Sequence, residues 1–315
     1  MESCLDLYFH GDFDGIASAA IVVRYFHKLY TINLYPVNHG LKRWQEHRFS
    51  AHALNFVVDF PFSRALYEVP RWVWIDHHRT NEVPKGSGAI LYDPNATSCA
   101  ELVYEAFPCR GLEELVRWAQ VVDGALYESP RQALLPEEPA LVINAAIASG
   151  NNEFRCELVK RLAFQSLEEV ASWSEVRKRA DFTIRRNVRA IEWIKYNAKF
   201  YGDGVLFADF VRAGTSSRYA PFFVFPHIKY CLNWRRIEKD TFELSITVNP
   251  WNPPKLNFDL SQIAKLLGGG GHEKACGVVL PNTRETYELI DVIGSFLQKL
   301  VEKEVSYGTD HNPTN

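Results

Sequence analysis

The stretch Trp72-Val73-Trp74-Ile75-Asp76-His77-His78, WVWIDHH, decides how the chain is read. A run of bulky apolar residues makes a strand, and the strand stops at one carboxylate and two adjacent imidazoles. Neighbouring residues on an extended chain point to opposite faces, so His77 and His78 do not share one role. Either the triplet is an exposed turn, or His77 holds something and His78 does something else.

The flanking sequence repeats this arrangement. Leu5 to Phe9, Ile32 to Val37, Leu54 to Val58, Arg71 to Ile75 and Ala89 to Tyr92 read as strands. Gly15 to Leu29 carries Ile16, Ala19, Ala20, Val23 and Phe26 at helical spacing. Thr97 or Ser98 N-caps a helix to about Phe107, with Glu101 placed for a capping box, and Leu112 to Val122 continues in helical spacing. Strands alternating with helices predict an α/β fold, a mostly parallel sheet with helices on both faces.

Acids and imidazoles gather where these elements end. His10-Gly11-Asp12-Phe13-Asp14-Gly15 follows the first strand, Asp59 the third and Asp76-His77-His78 the fourth, while Asp123 closes a helix. Ligands of an open parallel sheet bind at the carboxyl ends of its strands. Carboxylate and imidazole donors without thiolate favour Mn²⁺ or a related ion over structural zinc. Two such ions orient a phosphorus centre and lower the pKa of a bound water. Asp12 and Asp14, two residues apart, can point at two different ions, and Gly11 and Gly15 relieve crowding around them. Each member also has a bland reading. Asp59 and Asp123 fit turn or cap positions, Asp12 fits the N-cap of the first helix, and His77-His78 fits a surface turn. The conjunction on one edge favours a site.

The whole chain bounds the function classes. It has 315 residues, 47% hydrophobic and 23% charged, a size for two domains or for one with an appendage. A net charge of -3 argues against a broad basic surface for long duplex nucleic acid. Six cysteines stand without CxxC pairing, Glu2 and Asp6 interrupt any signal-peptide run, and no apolar run approaches the ~20 residues of a membrane helix. The expectation is a reducing cytoplasm with no membrane partner.

Beyond the Pro/Glu-rich break Ser129 to Pro139, residues to about Asn197 read as helices. Strands return at Val205 to Phe210, Phe222 to Phe225, Tyr230 to Asn233, Phe242 to Val248 and Cys276 to Leu280. Helices are expected over Asp259 to Leu267 and Thr286 to Glu302, with a disordered tail after them. The division expected is 1–130 catalytic, 131–197 helical segment and linker, 198–305 a smaller α/β substrate-binding domain, and 306–315 a tail.

In this order the motifs resemble the DHH phosphoesterase superfamily, in its DHH/DHHA1 branch. HGDFDGIASAA (His10 to Ala20), VVDF (Val57 to Phe60), IDHHRTN (Ile75 to Asn81) and VVDGALY (Val121 to Tyr127) resemble the four motifs of the DHH domain. GGGGHEKACG (Gly268 to Gly277) resembles the glycine-rich signature of the DHHA1 domain. The resemblance implies two Mn²⁺ ions, with Mg²⁺ or Co²⁺ as substitutes. It implies that Asp12 and His10 bind one ion, that Asp14, His77 and Asp123 bind the other, and that Asp59 bridges them. His78 would face the substrate phosphate near the leaving group, and Asp76 would orient a histidine from behind. Gly269, Gly270, Gly271 and His272 would bind substrate, backbone amides approaching an anion; the alternative there is a glycine-rich helix stop with a surface histidine.

One departure stands out. Family members acting on short oligonucleotides carry Ser-x-Arg-Ser before the glycine stretch, whereas Ser245 to Asn252 reads SITVNPWN, without arginine. Arg218, Arg235 and Arg236 are the candidates to supply that charge, and Trp251 is either a base-stacking or a packing residue. The function so implied is a Mn-dependent phosphoesterase that hydrolyses phosphodiester or phosphomonoester bonds of small nucleotides or short oligonucleotides with a two-metal-activated water. The second domain would hold the rest of the substrate, and a homodimer is compatible with this reading. The alternatives are a polyphosphate or pyrophosphate hydrolase with the same centre, and a non-catalytic nucleotide sensor.

Overall fold

The computed structural model describes residues 4–37, 41–78, 83–86, 88–215, 217–256 and 258–309. The chain divides into two compact units, one of Met1–Tyr127 with Pro136–Thr183, the other of Glu128–Leu135 with Ile184–Asn315.

In the first unit, β1 (Cys4–His10), α1 (Phe13–Phe26), β2 (Thr31–Val37), α2 (Leu41–Gln45) and β3 (Leu54–Val58) come first. A 3-10 turn, Arg64–Glu68, leads to β4 (Trp72–Asp76), β5 (Ala89–Tyr92), α3 (Cys99–Ala106) and α4 (Glu113–Asp123). The short α5 (Pro130–Leu134) belongs to the second unit. Helices α6 (Pro139–Ile147), α7 (Asn152–Phe164) and α8 (Leu167–Ser172) return to the first. The long helix α9 (Ser174–Asn197) starts in the first unit and ends in the second.

The first sheet is five-stranded, ordered β2-β1-β3-β4-β5, and every pairing is parallel. Alternation along the strands decides its two faces. Leu5, Leu7, Phe9, Phe56, Val58 and Ile75 point into a core with α1, α3, α4 and the helices from α6 onward. Tyr8, Val57, Trp72 and Trp74 point the other way, onto Trp44, Phe60, Leu66 and Val69. One face is therefore covered by long helices, and the other by α2 and the 3-10 turn. Because β1 lies between β2 and β3, the strand order reverses there, and this switch point is where parallel sheets open a ligand crevice.

The second unit is built on a mixed six-stranded sheet, ordered β10-β11-β9-β8-β7-β6. Its strands are β6 (Lys199–Tyr201), β7 (Val205–Asp209), β8 (Tyr230–Glu238), β9 (Thr241–Val248), β10 (Gly270–His272) and β11 (Ala275–Leu280). Its helices are α10 (Phe210–Ala213), α11 (Ala220–Val224), α12 (Ser261–Leu266) and α13 (Arg284–Thr309). One sheet face packs Leu232, Trp234, Leu244, Ile246 and Val278 with Ile290, Ile293 and Leu297 of α13. No helix among the described residues is long and apolar enough to cross a membrane.

Three sequence expectations need correction. The apolar run Phe222 to Phe225 is not a strand: Pro221 occupies the first turn of α11, and Ala220 and Phe222 are fully buried. A short run buried on all sides reads alike as strand or helix. Strands β6 and β10 were unanticipated, each only three residues long. Helix α13 continues to Thr309, through residues 306–309 assigned to the tail, while 310–315 lie outside the described residues.

Gly15 shows how tightly β1 and α1 are joined. A Cβ there would stand 2.2 Å from the His10 carbonyl oxygen, a backbone atom that cannot step aside cheaply. Gly15→Ala is expected to cost about 1–3 kcal/mol through overpacking, read as a lower urea midpoint at unchanged m-value.

Candidate metal centre

The turn after β3 sets the site. Asp59 is buried at 1% exposure and has φ +54, a left-handed conformation that is uncommon outside glycine. Its amide continues the sheet ladder to the Ile75 carbonyl at 3.0 Å. Two buried indoles brace the next two residues: Trp74 Nε1 donates to the Phe60 carbonyl at 2.8 Å and Trp44 Nε1 to the Pro61 carbonyl at 2.7 Å. The turn is thus held from below by the aromatic core. Yet neither Asp59 carboxylate oxygen has a hydrogen-bond partner among the described residues. A buried carboxylate left so is costly unless a cation meets it.

Imidazoles and carboxylates surround it. His10 Nδ1 lies 2.8 Å from Asp12 Oδ2 and 3.7 Å from Asp59 Oδ2. His77 donates from Nδ1 to the Ala96 carbonyl at 3.1 Å, which leaves Nε2 as the lone-pair nitrogen. That Nε2 has no hydrogen-bond partner among the described residues and stands 3.4 Å from Asp123 Oδ2 and 3.6 Å from both Asp14 Oδ2 and Asp59 Oδ1. Donors around one octahedral ion stand about 3 Å apart. Three groups, His10–Asp12–Asp59, Asp14–His77–Asp123 and Asp59–His77–His78, each bring their ligand atoms within 4.8 Å of one another. Asp59 belongs to two of them. The orphaned oxygens of Asp59 and the orphaned Nε2 of His77 fit divalent cations, and carboxylate with imidazole fits Mn²⁺ or a related ion.

Two of these residues also serve the local fold. Asp12 is the N-cap of α1, Oδ1 accepting from the Gly15 amide at 3.0 Å while Oδ2 faces His10. Asp14 sits at the start of α3, where Oδ2 accepts from the Cys99 amide at 2.6 Å and Oδ1 from Ala100 at 2.9 Å. The positive helix end holds this carboxylate in place, and each oxygen keeps a lone pair for a cation. Ser98 caps α3 by accepting from Glu101 N, and Glu101 reaches back to the Thr97 amide. Asp123 lies at the C-terminal end of α4, where the helix dipole opposes a negative charge.

His78 is set apart from His77. Its Nδ1 donates to Asp76 Oδ1 at 2.7 Å, and the same oxygen accepts the His77 and His78 amides at 2.8 and 3.3 Å. Asp76 is fully buried, so the three contacts fix the backbone and ring of His78 together. The His78 side chain remains 32% exposed, with Nε2 free of the Asp76 contact.

Charge crowding appears in the titration behaviour. Burial, reinforced by Asp59 and Asp123, pushes the Asp14 carboxyl well up, and burial with Asp59 pushes Asp123 up to about 6. Burial works downward on the imidazoles, but Asp12 and Asp59 carry His10 up to about 11. Asp59, Asp14 and Asp123 carry His77 up to about 10. Protons thus gather where divalent cations would otherwise offset the carboxylates.

Sequence reading passed over Arg155. From α7, 144 residues away in sequence, its Nε donates to the Gly11 carbonyl at 2.7 Å and its charge faces Asp12. No local pattern announces such a contact.

The predicted substrate residues lie in the second unit. Gly268 stops α12 at φ +76, its amide bonded to Lys265 O and the Gly269 amide to Ala264 O, so the helix-stop reading accounts for the first two glycines. Gly270 to His272 then form edge strand β10 against β11. A Cβ at Gly269 would meet the Gly277 carbonyl at 2.3 Å, and Gly271, at φ +142, would meet Cys276 Cα at 2.5 Å. A Cβ at Gly270 would meet nothing. His272 is exposed. Trp251 packs against Tyr219 and Phe222, as a packing residue does.

Comparison with known proteins agrees with the fold. The profile of the "DHH family, N-terminal domain" matches residues 7–125. This part of the chain is a DHH domain. No curated protein matches the sequence. Among solved structures, the pGpG-specific phosphodiesterase PggH from Vibrio cholerae superposes with a TM-score of 0.69 at 15% identity, covering 96% of this chain and 99% of that one. RecJ from Thermus thermophilus, in complex with Mn²⁺, gives 0.57 at 13% identity over 97% of this chain and 52% of its own. A second manganese-bound exonuclease RecJ gives 0.52 at 14% identity, over 99% and 91%. At such identities the likeness concerns the fold: a DHH domain followed by a second, smaller α/β unit.

Asparagine tolerates the left-handed region as aspartate does. Asp59→Asn is therefore expected to fold. Millimolar Mn²⁺ should raise the thermal midpoint of the wild type and leave that of Asp59→Asn in place. An equal shift in both would remove Asp59 from the centre.

Proposed function

We propose that this chain is a metal-dependent phosphoesterase that hydrolyses a phosphodiester or phosphomonoester bond of a small nucleotide or short oligonucleotide, with two Mn²⁺ ions as its cofactors. The observation that carries the reading is the buried Asp59 carboxylate, unpartnered on both oxygens and shared between donor groups of the DHH domain. The class, a metal-dependent phosphohydrolase, follows from that domain and its donor set. The likeness to a pGpG-specific phosphodiesterase over the full length of both chains supports the narrower choice of a short nucleotide diester. The manganese in both RecJ structures supports the choice of ion.

In this reading His10 and Asp12 hold one ion, and Asp14, His77 and Asp123 hold the other. Asp59 serves both. When bound, the ions supply Lewis acidity, lowering the pKa of water and offsetting charge on the phosphoryl oxygens. His77 binds through Nε2 because Nδ1 is committed to Ala96. Arg155 fixes the Gly11 carbonyl and so the loop carrying Asp12 and Asp14.

His78 faces the phosphate. Its Nδ1 stays protonated against Asp76, and contact with Asp76 and Asp59, working against burial, raises its pKa. A proton on Nε2 can then be donated to a phosphoryl or leaving oxygen, which makes His78 the catalytic acid and Asp76 its positioning residue. In the second unit, Gly270 has no steric reason to be glycine, and edge strand β10 exposes backbone amides on its outer side. Gly270 to His272 are assigned to substrate on that ground, and Gly269, whose amide is bonded to the Ala264 carbonyl, is assigned to the helix stop.

EDTA should abolish hydrolysis of a dinucleotide and Mn²⁺ restore it; indifference to both would refute the metal-dependent reading. His78→Ala should lower kcat by about 10²–10⁴ while keeping the Mn²⁺-induced rise in thermal midpoint. Loss of that rise would instead make His78 a metal ligand.

A further inference from the structure

Strand β5 contributes one side chain to the catalytic edge. Tyr92 is its last residue and the register partner of Asp76 on β4, so the two side chains leave the sheet on the same face. Trp74, two residues before Asp76, shares that face. Its ring stacks on Tyr92, with centroids 5.6 Å apart and planes inclined by 16°. From this platform the Tyr92 hydroxyl donates to the His78 carbonyl at 3.1 Å.

The contact completes a set. Asp76 Oδ1 holds the His78 amide at 3.3 Å and the ring Nδ1 at 2.7 Å, both from two residues back in the same segment. Contacts from one side alone let a residue pivot about them. Tyr92 catches the carbonyl, on the other side of the His78 Cα, and reaches it from a different strand. His78 is thus held at its amide, its ring and its carbonyl. Its side chain is 32% exposed, so these hydrogen bonds, more than packing, fix its place.

Trp74 joins this clamp to the turn of Asp59. The indole is fully buried, and its Nε1 donates to the Phe60 carbonyl, one residue past Asp59, at 2.8 Å. One rigid plate therefore braces two loops. Its edge holds the turn that carries Asp59, and its face seats the tyrosine that holds His78. Asp59 Oδ1 and His78 Nδ1 stand 3.8 Å apart.

We propose that Tyr92 is a positioning residue for the hydrolysis: its hydroxyl, seated on Trp74, sets where the His78 imidazole stands relative to Asp59. The proposal rests on the phosphoesterase reading and deepens it, because proton donation from His78 Nε2 to a leaving oxygen depends on that placement. A misplacement of about 1 Å can cost about 10²-fold in rate. Tyr92 acts through the His78 backbone and not on the substrate.

Tyr92→Phe tests this, since it keeps the ring on Trp74 and removes only the hydroxyl. With a dinucleotide and Mn²⁺, kcat should fall about tenfold or more while KM stays within about twofold. The metal-free thermal midpoint should stay within about 3 °C of wild type, and the Mn²⁺-induced rise should be kept. In a His78→Ala background the same substitution should cost nothing further in kcat, because the group it positions is gone. An unchanged kcat in Tyr92→Phe, an equal fold-loss in both backgrounds, or loss of the Mn²⁺-induced rise would each overturn the proposal. Failure of the phosphoesterase reading shows separately: wild-type protein without Mn²⁺-dependent turnover would overturn that reading, and the role of Tyr92 with it.

Discussion

A buried carboxylate whose oxygens no described residue hydrogen-bonds is the constraint around which the first unit is arranged. Asp59 takes a left-handed backbone at the end of β3, and both its oxygens stay unpartnered. Strain and desolvation are together tolerated only where the surroundings over-determine the conformation. Here the sheet ladder fixes the Asp59 amide, and the Trp44 and Trp74 indoles fix the two carbonyls that follow. The aromatic layer on one face of the sheet is thus a brace, and the helical layer on the other supplies Asp14 and Asp123.

Structural and functional readings of the same residue turn out to be compatible. Asp12 caps α1 with one oxygen and meets His10 with the other. Asp14 accepts two amides from the start of α3, yet Oδ2 lies within 3.6 Å of His77 Nε2. A carboxylate offers enough lone pairs to do both, so local hydrogen bonds act as the mounts of the donor set. The glycine stretch divides differently. Gly268, Gly269 and Gly271 answer to backbone angle or close packing, and only Gly270 is left for a ligand to explain.

Much of the first unit was legible locally. Its five strands fall within a residue or so of the apolar runs that announced them, because the central strands β1, β3 and β4 are buried and leave short, bulky segments while the edge strands β2 and β5 keep β-branched and aromatic residues between turns. Parallel order followed from the intervening helices, and the placing of Asp and His at the carboxyl edge followed from parallel order. The second unit was less legible where elements were short. Strands β6 and β10 are three residues each, and the all-apolar turn α11 carries no periodicity to separate it from a strand.

The sequence by itself determined the α/β class, the sheet edge at which the acids and imidazoles collect, and the different fates of His77 and His78, since strand alternation and element order are local properties. Only the tertiary structure decided that Asp59 is left-handed with carboxylate oxygens that no described residue hydrogen-bonds, and that Arg155 holds the Gly11 carbonyl. Those facts depend on groups brought together across long stretches of chain. Periodicity records which face a residue takes, and only packing records what stands opposite it.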